Sequence, residues 1–480
     1  MAKKKKEITV TPIGYSAQSV TGSCNLIEFG NTKLAVELGG IQEGRTPLAN
    51  YKANREQLSK IRSQELNYIF LEHCHYDHIG LVPAMYANGK CTAQIIVPAG
   101  STSILREMWL DSAKIMEKDC EYLRRKFGKT YNPFYSNEDV EIALAHIAEH
   151  PSNEMIQLTE ELTFRYIPSG HIFLAQQLEL YINLKNHITK ILVTSDLGNP
   201  ITEDHHVFVE KFQPVSKTNI ALVESTYGLR SKRNSKKDFN KDLEKIKTVI
   251  EQFCIEGHGR VLFPVFSLDR TPFMMWLIYS LFKDDSSFKI PVIVDSPLAI
   301  RLLHCYSSIL TQEKKKMFDG MMNWPNFKFT VEYTDSAACM EEKSPKVILS
   351  SGGMLQSGRS IQWAQSIVPH SRDCIVFSGY CGEGTLGYKI KHAKEQKTVT
   401  INNKILQNRC QMIELVSMSG HMQHNELVNY YKNIQADTIY LLHGDVQARI
   451  ELKCDLEDEL SKMCKSTKVK IINKSTVIRL

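Results

Sequence analysis

The sequence predicts a mixed α/β fold, in which a sandwich of two sheets flanked by helices is interrupted by a second, inserted α/β domain. Short apolar runs alternate with helix-periodic segments over residues 1–228, which is typical of layered α/β proteins. The alternation restarts over residues 229–415, which we therefore assign to the insert. Residues 416–480 should return to the first domain, because their histidines have to complete a site that begins near residue 73. Within the insert, the pattern predicts a helix over 237–256, a strand over 259–265, a helix over 271–283 and a strand over 291–294.

The most specific feature is a loop over residues 73–78 with the pattern H-x-H-x-D-H. The apolar, β-favouring run Asn67–Leu71 precedes this loop, and a helix can start at Ile79, so the loop lies at a strand-to-helix turn. Imidazole nitrogens and carboxylate oxygens are ligands of zinc in proteins. The loop therefore predicts a metal site whose candidate ligands are His73, His75, Asp77 and His78.

One catalytic metal does not need four such side chains from a single loop. Alternate residues of an extended backbone point the same way, so His73 and His75 would face one centre, while Asp77 and His78 can face a second. Two centres need further ligands, and three other apolar strands end close to a ligand-type residue that has a glycine within two positions. These are Thr163–Pro168 before His171, Ile191–Ser195 before Asp196, and Ile439–Leu442 before His443.

Together these motifs resemble the metallo-β-lactamase superfamily, and in particular its β-CASP RNA-processing nucleases, which include the cleavage-and-polyadenylation endonuclease and RNase J. The resemblance runs from Gly14 almost to the C-terminal strand. It implies an αββα metallo-β-lactamase sandwich with an inserted α/β β-CASP cap domain. The matching segments are Glu224–Gly228 (acidic motif A), Ser417–His421 (motif B), Leu442–Gly444 (motif C), Asp295–Ala299, Ser350–Met354 and Gly379–Gly387.

The resemblance also implies two zinc ions. In the family pattern one ion would be held by His73, His75 and His171, the other by Asp77, His78 and His443, with Asp196 bridging both. Two such ions activate a water and hold a phosphodiester for in-line attack. His421 would act as general acid for the departing ribose oxygen, with Glu224 holding its imidazole, and the products would carry a 5′-phosphate and a 3′-hydroxyl.

The chain departs from the family pattern at two positions. Glu37 stands where the family usually has an aspartate that orients metal-binding histidines, and Lys232 stands where a histidine is common. We expect Glu37 to keep the orienting role with altered geometry, because such supporting groups tune metal affinity.

Three further interpretations concern substrate contacts. Backbone amides at Ser351 and Gly352 can form an anion-binding turn, the alternative being a tight turn alone. Arg270 is a second candidate phosphate contact, the alternative being a structural ion pair. The basic cluster after motif A, which contains Lys232, is either a phosphate contact or a solvated helix start.

Composition is compatible with a soluble enzyme. The chain has 480 residues and a net charge of +6, which permits a polyanionic partner without demanding one. Its twelve cysteines form no C-x-x-C pair, which favours free thiols and a cytoplasmic location, and no secretory or membrane-spanning segment is expected. We expect single-stranded RNA as the partner, and leave open a homodimer or partners in a processing complex.

Three functional classes follow from these observations. The first is a zinc-dependent ribonuclease, either endonucleolytic or also 5′→3′ exonucleolytic. The second is a hydrolase of a thioester or lactam on the same metal scaffold, against which the insert and the Glu224/His421 pair argue. The third is a weakly catalytic or non-catalytic RNA-binding subunit, for which Glu37 is the only hint because all seven metal ligands are present.

Overall fold

The computed structural model describes residues 5–14, 19–42, 46–200, 204–231, 236–356, 358–379, 381–382, 384–393 and 397–480. The chain forms two compact units. Unit 1 comprises Met1–Pro200, Val209–Arg233 and Gly420–Leu480, and unit 2 comprises Ile201–Phe208 and Asn234–Ser419. Residues 204–208 thus cluster with unit 2, although the sequence placed them in the first domain. The reason is packing: the ring of His206 stacks on Phe273 at 4.3 Å and its Nε2 lies 2.8 Å from an oxygen of Asp269.

Unit 1 contains two seven-stranded sheets. The first has the order β22-β1-β2-β3-β4-β5-β6, and the second has the order β21-β20-β11-β10-β9-β8-β7. The strands of the first sheet are β1 (Lys5–Pro12), β2 (Asn25–Gly30), β3 (Thr32–Val36), β4 (Tyr68–Phe70), β5 (Gln94–Pro98), β6 (Ile147–His150) and β22 (Ile478–Arg479). Those of the second are β7 (Ile156–Gln157), β8 (Leu162–Pro168), β9 (Gln176–Leu184), β10 (His187–Val193), β11 (Ile220–Val223), β20 (Thr438–Leu441) and β21 (Lys468–Ile471).

A continuous apolar core lies between the two sheets. Phe29, Phe70 and Ile96 from the first sheet pack with Phe164 and Leu180 from the second, and all five are fully buried. β11 and β20 consist entirely of buried residues, as expected for central parallel strands that are covered on both faces.

Helices cover the outer faces of both sheets, which completes the four-layer αββα sandwich. Helix Ser101–Phe127 buries Leu105 and Trp109 beside the first sheet. Helices His424–Tyr431 and Val446–Lys462 pack their apolar residues on the second sheet. The remaining helices of the described part of unit 1 are Pro47–Ser59, Tyr76–Ile79, Asn137–Leu144 and the short 3₁₀ turns Ser63–Glu65 and Val82–Met85.

Unit 2 has its own parallel sheet, with the order β14-β13-β15-β12-β16-β19, and a separate hairpin of β17 and β18. Its strands are β12 (Arg260–Val265), β13 (Val292–Asp295), β14 (Phe327–Phe329), β15 (Lys346–Ser351), β16 (Cys374–Phe377), β17 (Thr398–Ile401), β18 (Lys404–Gln407) and β19 (Gln411–Glu414). Its helices are Lys236–Ile250, continued by a π-helical turn Glu251–Glu256, then Arg270–Phe282, Pro297–Ile309, Gln312–Met322, Tyr333–Glu341, Ser360–Ile367 and Leu386–His392.

One predicted element lies elsewhere than expected. The sequence predicts a helix that starts at Ile79, but the structure has a single helical turn, Tyr76–Ile79, which ends there and is capped at Gly80. The ring of Tyr76 fills the space where a Cβ of Gly80 would lie, at 2.5 Å, and a separate 3₁₀ turn, Val82–Met85, follows. This packing ends the helix directly after the last ligand of the loop.

Among the helices that the structure describes, none is both long and apolar enough to cross a membrane. The twelve cysteines are free thiols and most are buried, whereas Cys454 and Cys464 are exposed.

Candidate metal centre

The topology of unit 1 explains why the candidate ligands meet. β10 runs parallel to β11, and β11 runs parallel to β20, so their carboxyl ends lie at one edge of the sheet. Asp196, Glu224 and His443 follow these three strands within one to three residues. β8 points the same way because it and β10 are both antiparallel to β9, and His171 follows it.

The first group of ligand atoms consists of three histidines and one carboxylate. Nε2 of His73 lies 3.2 Å from Nδ1 of His75, and Nε2 of His171 lies 3.3 Å from the same nitrogen. Oδ2 of Asp196 lies 3.7 Å from Nε2 of His73 and 3.5 Å from Nε2 of His171. Four ligands at about 2.0–2.1 Å around a tetrahedral ion stand about 3.3–3.4 Å apart, so these contacts are close to the spacing of a tetrahedral metal site.

The second group consists of Asp77, His78 and His443. Oδ2 of Asp77 lies 3.5 Å from Nε2 of His78 and 3.7 Å from Nε2 of His443. Asp196 reaches this group too, since its Oδ2 lies 3.4 Å from Nε2 of His78 and its Oδ1 lies 3.3 Å from Nδ1 of His443. Asp196 therefore stands between the two groups, where a bridging carboxylate belongs.

Three polar atoms at the centre are fully buried and have no hydrogen-bond partner within the part of the chain that the structure describes. They are Nε2 of His78, Nε2 of His443 and Oδ1 of Asp196. Buried polar atoms are normally paired, and unpaired ones carry a desolvation cost. All three belong to the two ligand groups, so the residues present fit divalent cations at this position.

Electrostatics keep the two carboxylates ionised. Burial alone would raise the pKa of Asp196, but His443 and His78 hold it well below its usual value. Burial likewise opposes ionisation of Asp77, and His78 and His443 together lower its pKa well below the ordinary range. The buried Asp196 and the half-buried Asp77, set among five imidazoles, form a strong cation-binding set.

Glu37 is hydrogen-bonded, directly or through Ser195, to one histidine of each ligand group. Its Oε1 accepts a hydrogen bond from Nδ1 of His78 at 2.6 Å and another from the hydroxyl of Ser195 at 2.8 Å. That hydroxyl lies 3.2 Å from Nδ1 of His73. One buried carboxylate thus orients a histidine of the second group directly and a histidine of the first through Ser195. Sequence reasoning missed Ser195, whose only signal was its place between a strand and Asp196.

The backbone is strained at three of these positions. Glu37, Ser195 and His443 have φ values of 64°, 49° and 51°, in the left-handed region that non-glycine residues avoid. Each such residue costs on the order of 1–3 kcal/mol, and such strain concentrates at functional sites. The close packing continues at Gly39, where an added Cβ would stand 1.5 Å from the carbonyl oxygen of Asp77.

Glu224 and His421 lie next to the ligand groups. Nδ1 of His421 is 3.4 Å from Oε1 of Glu224, and its Nε2 is 4.0 Å from Oδ2 of Asp196. Burial would lower the pKa of His421, but Glu224 and Asp196 raise it above its ordinary value. The backbone N–H of Leu197 donates to Oε1 of Glu224 at 2.6 Å and fixes the carboxylate. The imidazole can therefore carry a proton at Nε2, on the side of the ligand groups.

Two further residues belong to this environment, and their roles were not anticipated. The hydroxyl of the half-buried Thr226, a residue within motif A, lies 3.1 Å from Nδ1 of His443. Glu72 precedes the first ligand of the loop and is completely buried. Burial, followed by the nearby charge of Glu37, raises the pKa of Glu72 well above its usual value. A glutamate beside the metal motif was the available signal.

The expected substrate contacts lie elsewhere in the chain. Gly352 directly follows β15, has a φ of 105° and accepts the N–H of Leu355 at 2.8 Å, which is the geometry of a tight turn. Arg270 donates to the carbonyl of Met418 and lies over the ring of Phe273. Ser351, Gly352 and Arg270 are all in unit 2. Lys232 lies outside the described residues.

Arg230, from the basic cluster after motif A, has a structural role. Its guanidinium pairs with both carboxylate oxygens of Asp455, and its backbone N–H donates to Glu451 at 2.9 Å. Asp455 also lies 2.8 Å from Nε2 of the buried His424, whose Nδ1 lies 2.7 Å from the carbonyl oxygen of Gly228. These bonds secure the end of motif A.

The sequence of this chain is similar to two protein-family models and to several named proteins. Residues 273–390 match the Beta-Casp domain model, and residues 406–468 match the model described as "Zn-dependent metallo-hydrolase RNA specificity domain". The chain is 24% identical over 468 residues to Integrator complex subunit 11 of Danio rerio, covering 95% of this chain and 72% of the relative. It is 24% identical over 450 residues to Ribonuclease TTHA0252 of Thermus thermophilus, covering 92% and 94% of the two chains.

Two more similarities extend the comparison. Cleavage and polyadenylation specificity factor 73 of Drosophila melanogaster is 24% identical over 470 residues, which cover 97% of this chain and 64% of that relative. A crystal structure of an Enterococcus faecalis V583 protein of unknown function aligns with a TM-score of 0.55 at 12% identity, over 99% of this chain and 100% of that one. The second similarity supports the fold alone.

The sandwich, with its His/Asp cluster at one sheet edge, defines a metal-dependent hydrolase of the metallo-β-lactamase class. The inserted parallel-sheet unit and both domain matches narrow this class further. Residues 273–390 form a Beta-Casp domain, and the two domain matches with the named relatives support a β-CASP metallo-β-lactamase RNA-processing nuclease.

Proposed function

We propose that the protein is a zinc-dependent ribonuclease that hydrolyses RNA phosphodiester bonds at a two-metal centre and leaves 5′-phosphate and 3′-hydroxyl ends. Relatives named as ribonuclease and as cleavage factor support RNA as the substrate. The observation that carries the proposal is the position of His421, with one ring nitrogen on Glu224 and the other facing the ligand groups. A small-substrate hydrolase has no evident use for this pair.

The two ligand groups would hold one ion each, with Asp196 shared between them. Divalent ions bound there would activate a water for attack on phosphorus and neutralise charge on the phosphodiester. The chain supplies the remaining chemistry. Nδ1–H of His421 stays on Glu224, which keeps the second ring nitrogen protonated and directed at the reacting bond. His421 then delivers that proton to the departing ribose 3′-oxygen.

The geometry of Glu224 suits this role. Its Oε1 accepts from both Leu197 N–H and His421, and its Oε2 accepts from Thr226 N–H at 3.3 Å. Because two backbone donors fix this carboxylate in place, it can hold the imidazole ring in one orientation. Glu224 therefore acts as the positioning residue for the general acid.

We extend the proposal to Ser351 and Gly352 as phosphate contacts, which the sequence motif alone suggests.

The test uses zinc-loaded protein and single-stranded RNA carrying either a 5′ label or an internal label, with DNA of the same sequence as the control substrate. We expect RNA-selective cutting, and at least a 100-fold loss with His421→Ala at unchanged zinc content. His187→Ala, which removes an exposed imidazole from β10, is the matched control and should cut like the wild type.

The fragment pattern separates endonucleolytic from 5′→3′ exonucleolytic cutting, because only internal cutting yields intermediate lengths from the 5′-labelled RNA. Cutting by His421→Ala at the wild-type rate would refute the general-acid assignment. Absence of cutting by zinc-loaded wild type would refute the ribonuclease proposal for the isolated chain and favour a subunit that only binds RNA.

A further inference from the structure

The C-terminal end of helix Ser101–Phe127 and the loop after it form an exposed basic segment. From Tyr122 to Asn137 the chain contains four basic side chains and no acidic one. All four are exposed: Arg124, Arg125, Lys126 and Lys129. Arg124, Arg125 and Lys129 form no ion pair with any residue in the described part of the chain, which contrasts with the paired Arg230. Their charge is available to a partner.

Exposed aromatic rings stand among these charges. Tyr122 and Phe127 are 41% and 42% exposed. The ammonium of Lys126 lies 5.3 Å from the ring centre of Tyr122 and 5.6 Å from that of Phe127. We call Tyr122, Arg124, Arg125, Lys126, Phe127 and Lys129 the basic-aromatic surface.

A half-buried aromatic cluster of Tyr51, Tyr131 and Phe134 packs at the loop that follows the helix. Tyr51 contacts the ring of Tyr131 edge-on at 5.3 Å and stacks on Phe134 at 4.9 Å. Its hydroxyl donates to the carbonyl of Asn132 at 3.2 Å. The loop is therefore held in a defined conformation, and the exposed rings are presented from a fixed base.

Helix Ser101–Phe127 and the loop after it are hydrogen-bonded to the metal-ligand loop. The indole N–H of Trp109 donates to the carbonyl of Ile79 at 3.0 Å, and the hydroxyl of Tyr135 donates to the carbonyl of Gly80 at 3.0 Å. These carbonyls follow His78 by one and two residues. The basic-aromatic surface and the metal centre thus belong to one connected part of unit 1.

We propose that the basic-aromatic surface binds single-stranded RNA and holds the substrate outside the metal centre, an inference that rests on the proposed ribonuclease function. Unpaired arginines and lysines contact phosphates, and exposed rings stack on bases without regard to sequence. Single-stranded RNA is the occupant that needs both features at once. A protein partner would need acidic groups placed to complement all four of these charges.

The test compares RNA binding by two triple variants. Arg124→Ala/Arg125→Ala/Lys129→Ala removes three charges from the surface, and Lys90→Ala/Lys217→Ala/Lys468→Ala removes three exposed charges elsewhere in unit 1. Both are made in zinc-loaded His421→Ala protein, so that the RNA stays intact. Binding of a fluorescent 20-nucleotide RNA is followed by anisotropy at several KCl concentrations.

We expect the surface variant to bind at least 10-fold more weakly than the control variant. The slope of log K against log salt should fall by about 2, since each single-strand phosphate contact contributes about 0.7. Phe127→Ala should weaken binding about 5-fold or more and leave the salt slope unchanged, because stacking releases no counterions. This second variant also tests the surface if the triple variant melts at a lower temperature than the wild type.

Cleavage separates this inference from the proposed function. With the three substitutions in otherwise wild-type protein, we expect kcat/KM to fall on the 20-nucleotide RNA and to stay unchanged on a trinucleotide. Wild-type protein that cuts neither RNA would refute the proposed function itself. Wild-type protein that cuts RNA, with surface and control variants matching it in affinity, salt slope and cutting, would overturn only the assignment of this surface to RNA.

Discussion

Replacing Glu37 with glutamine should weaken zinc binding at both ligand groups. The buried carboxylate accepts from His78 at 2.6 Å and from Ser195 at 2.8 Å, and glutamine keeps the shape but loses the charge. A hydrogen bond to a charged group contributes about 1.5–3 kcal/mol, and loss of such a support typically lowers metal affinity about 10- to 100-fold. We expect that loss at the Asp77–His78–His443 group.

The loss at the other group should be smaller, because Glu37 reaches His73 only through the hydroxyl of Ser195. Ser195→Ala separates the two effects: it breaks the path to His73 and leaves the direct bond to His78 in place. Glu28→Gln makes the same chemical change on β2, where the glutamate pairs with Lys33, and should leave zinc binding unchanged.

The assay is a titration of metal-free protein with zinc against a chromophoric chelator, with thermal melting to show that each variant is folded. Two resolved binding steps would report the two groups separately. Zinc isotherms of Glu37→Gln that overlay the wild type would refute the reasoning. They would mean that the histidines are held in position by packing alone.

Three further predictions concern the same unit. Asp77→Ala should lower the zinc stoichiometry by one and abolish activity; unchanged zinc content would contradict a two-metal centre. Gly39→Ala places a Cβ 1.5 Å from the carbonyl oxygen of Asp77, so it should lower the free energy of unfolding in urea by about 1–3 kcal/mol and weaken zinc binding. The control Gly379→Ala places its Cβ where no atom lies within 4 Å, so it should change neither quantity. Arg230 lowers the pKa of Asp455 to about 2. The ionised carboxylate therefore stabilises the fold above about pH 4, and this contribution is lost as the pH falls towards 2. Asp455→Asn should lower the free energy of unfolding at pH 6 and flatten its pH dependence below about pH 4, and parallel plots of unfolding free energy against pH for wild type and variant would refute this.

Much of the candidate centre could be anticipated because its residues carry their own local signals. The H-x-H-x-D-H loop and the strand ends before His171, Asp196 and His443 are patterns within a few residues of each other, and parallel strands place such ends at one edge. Helix 237–256 was close to the observed Lys236–Ile250 and its π-helical continuation for the same reason: a helix period is local.

Other features had no local signal. Ser195 contacts His73 across 122 residues of sequence, and Thr226 contacts His443 across 217 residues. A serine or threonine at the end of a strand carries no pattern that predicts such a contact. Trp109 and Tyr135 donate hydrogen bonds to the metal loop across 30 and 55 residues of sequence, and no local pattern marks either residue for that role.

By itself, the sequence determined the residue types that can hold metal, the alternation of strands and helices, and the family these imply. Only the tertiary structure decided which oxygen of Glu37 serves two histidines, that Asp196 stands between both ligand groups, and that Arg230 is neutralised while Arg124 and Arg125 are not. The physical reason is range. Secondary structure and motifs follow from neighbouring residues, whereas hydrogen-bond partners, burial and pairing of charges depend on chain segments that only folding brings together.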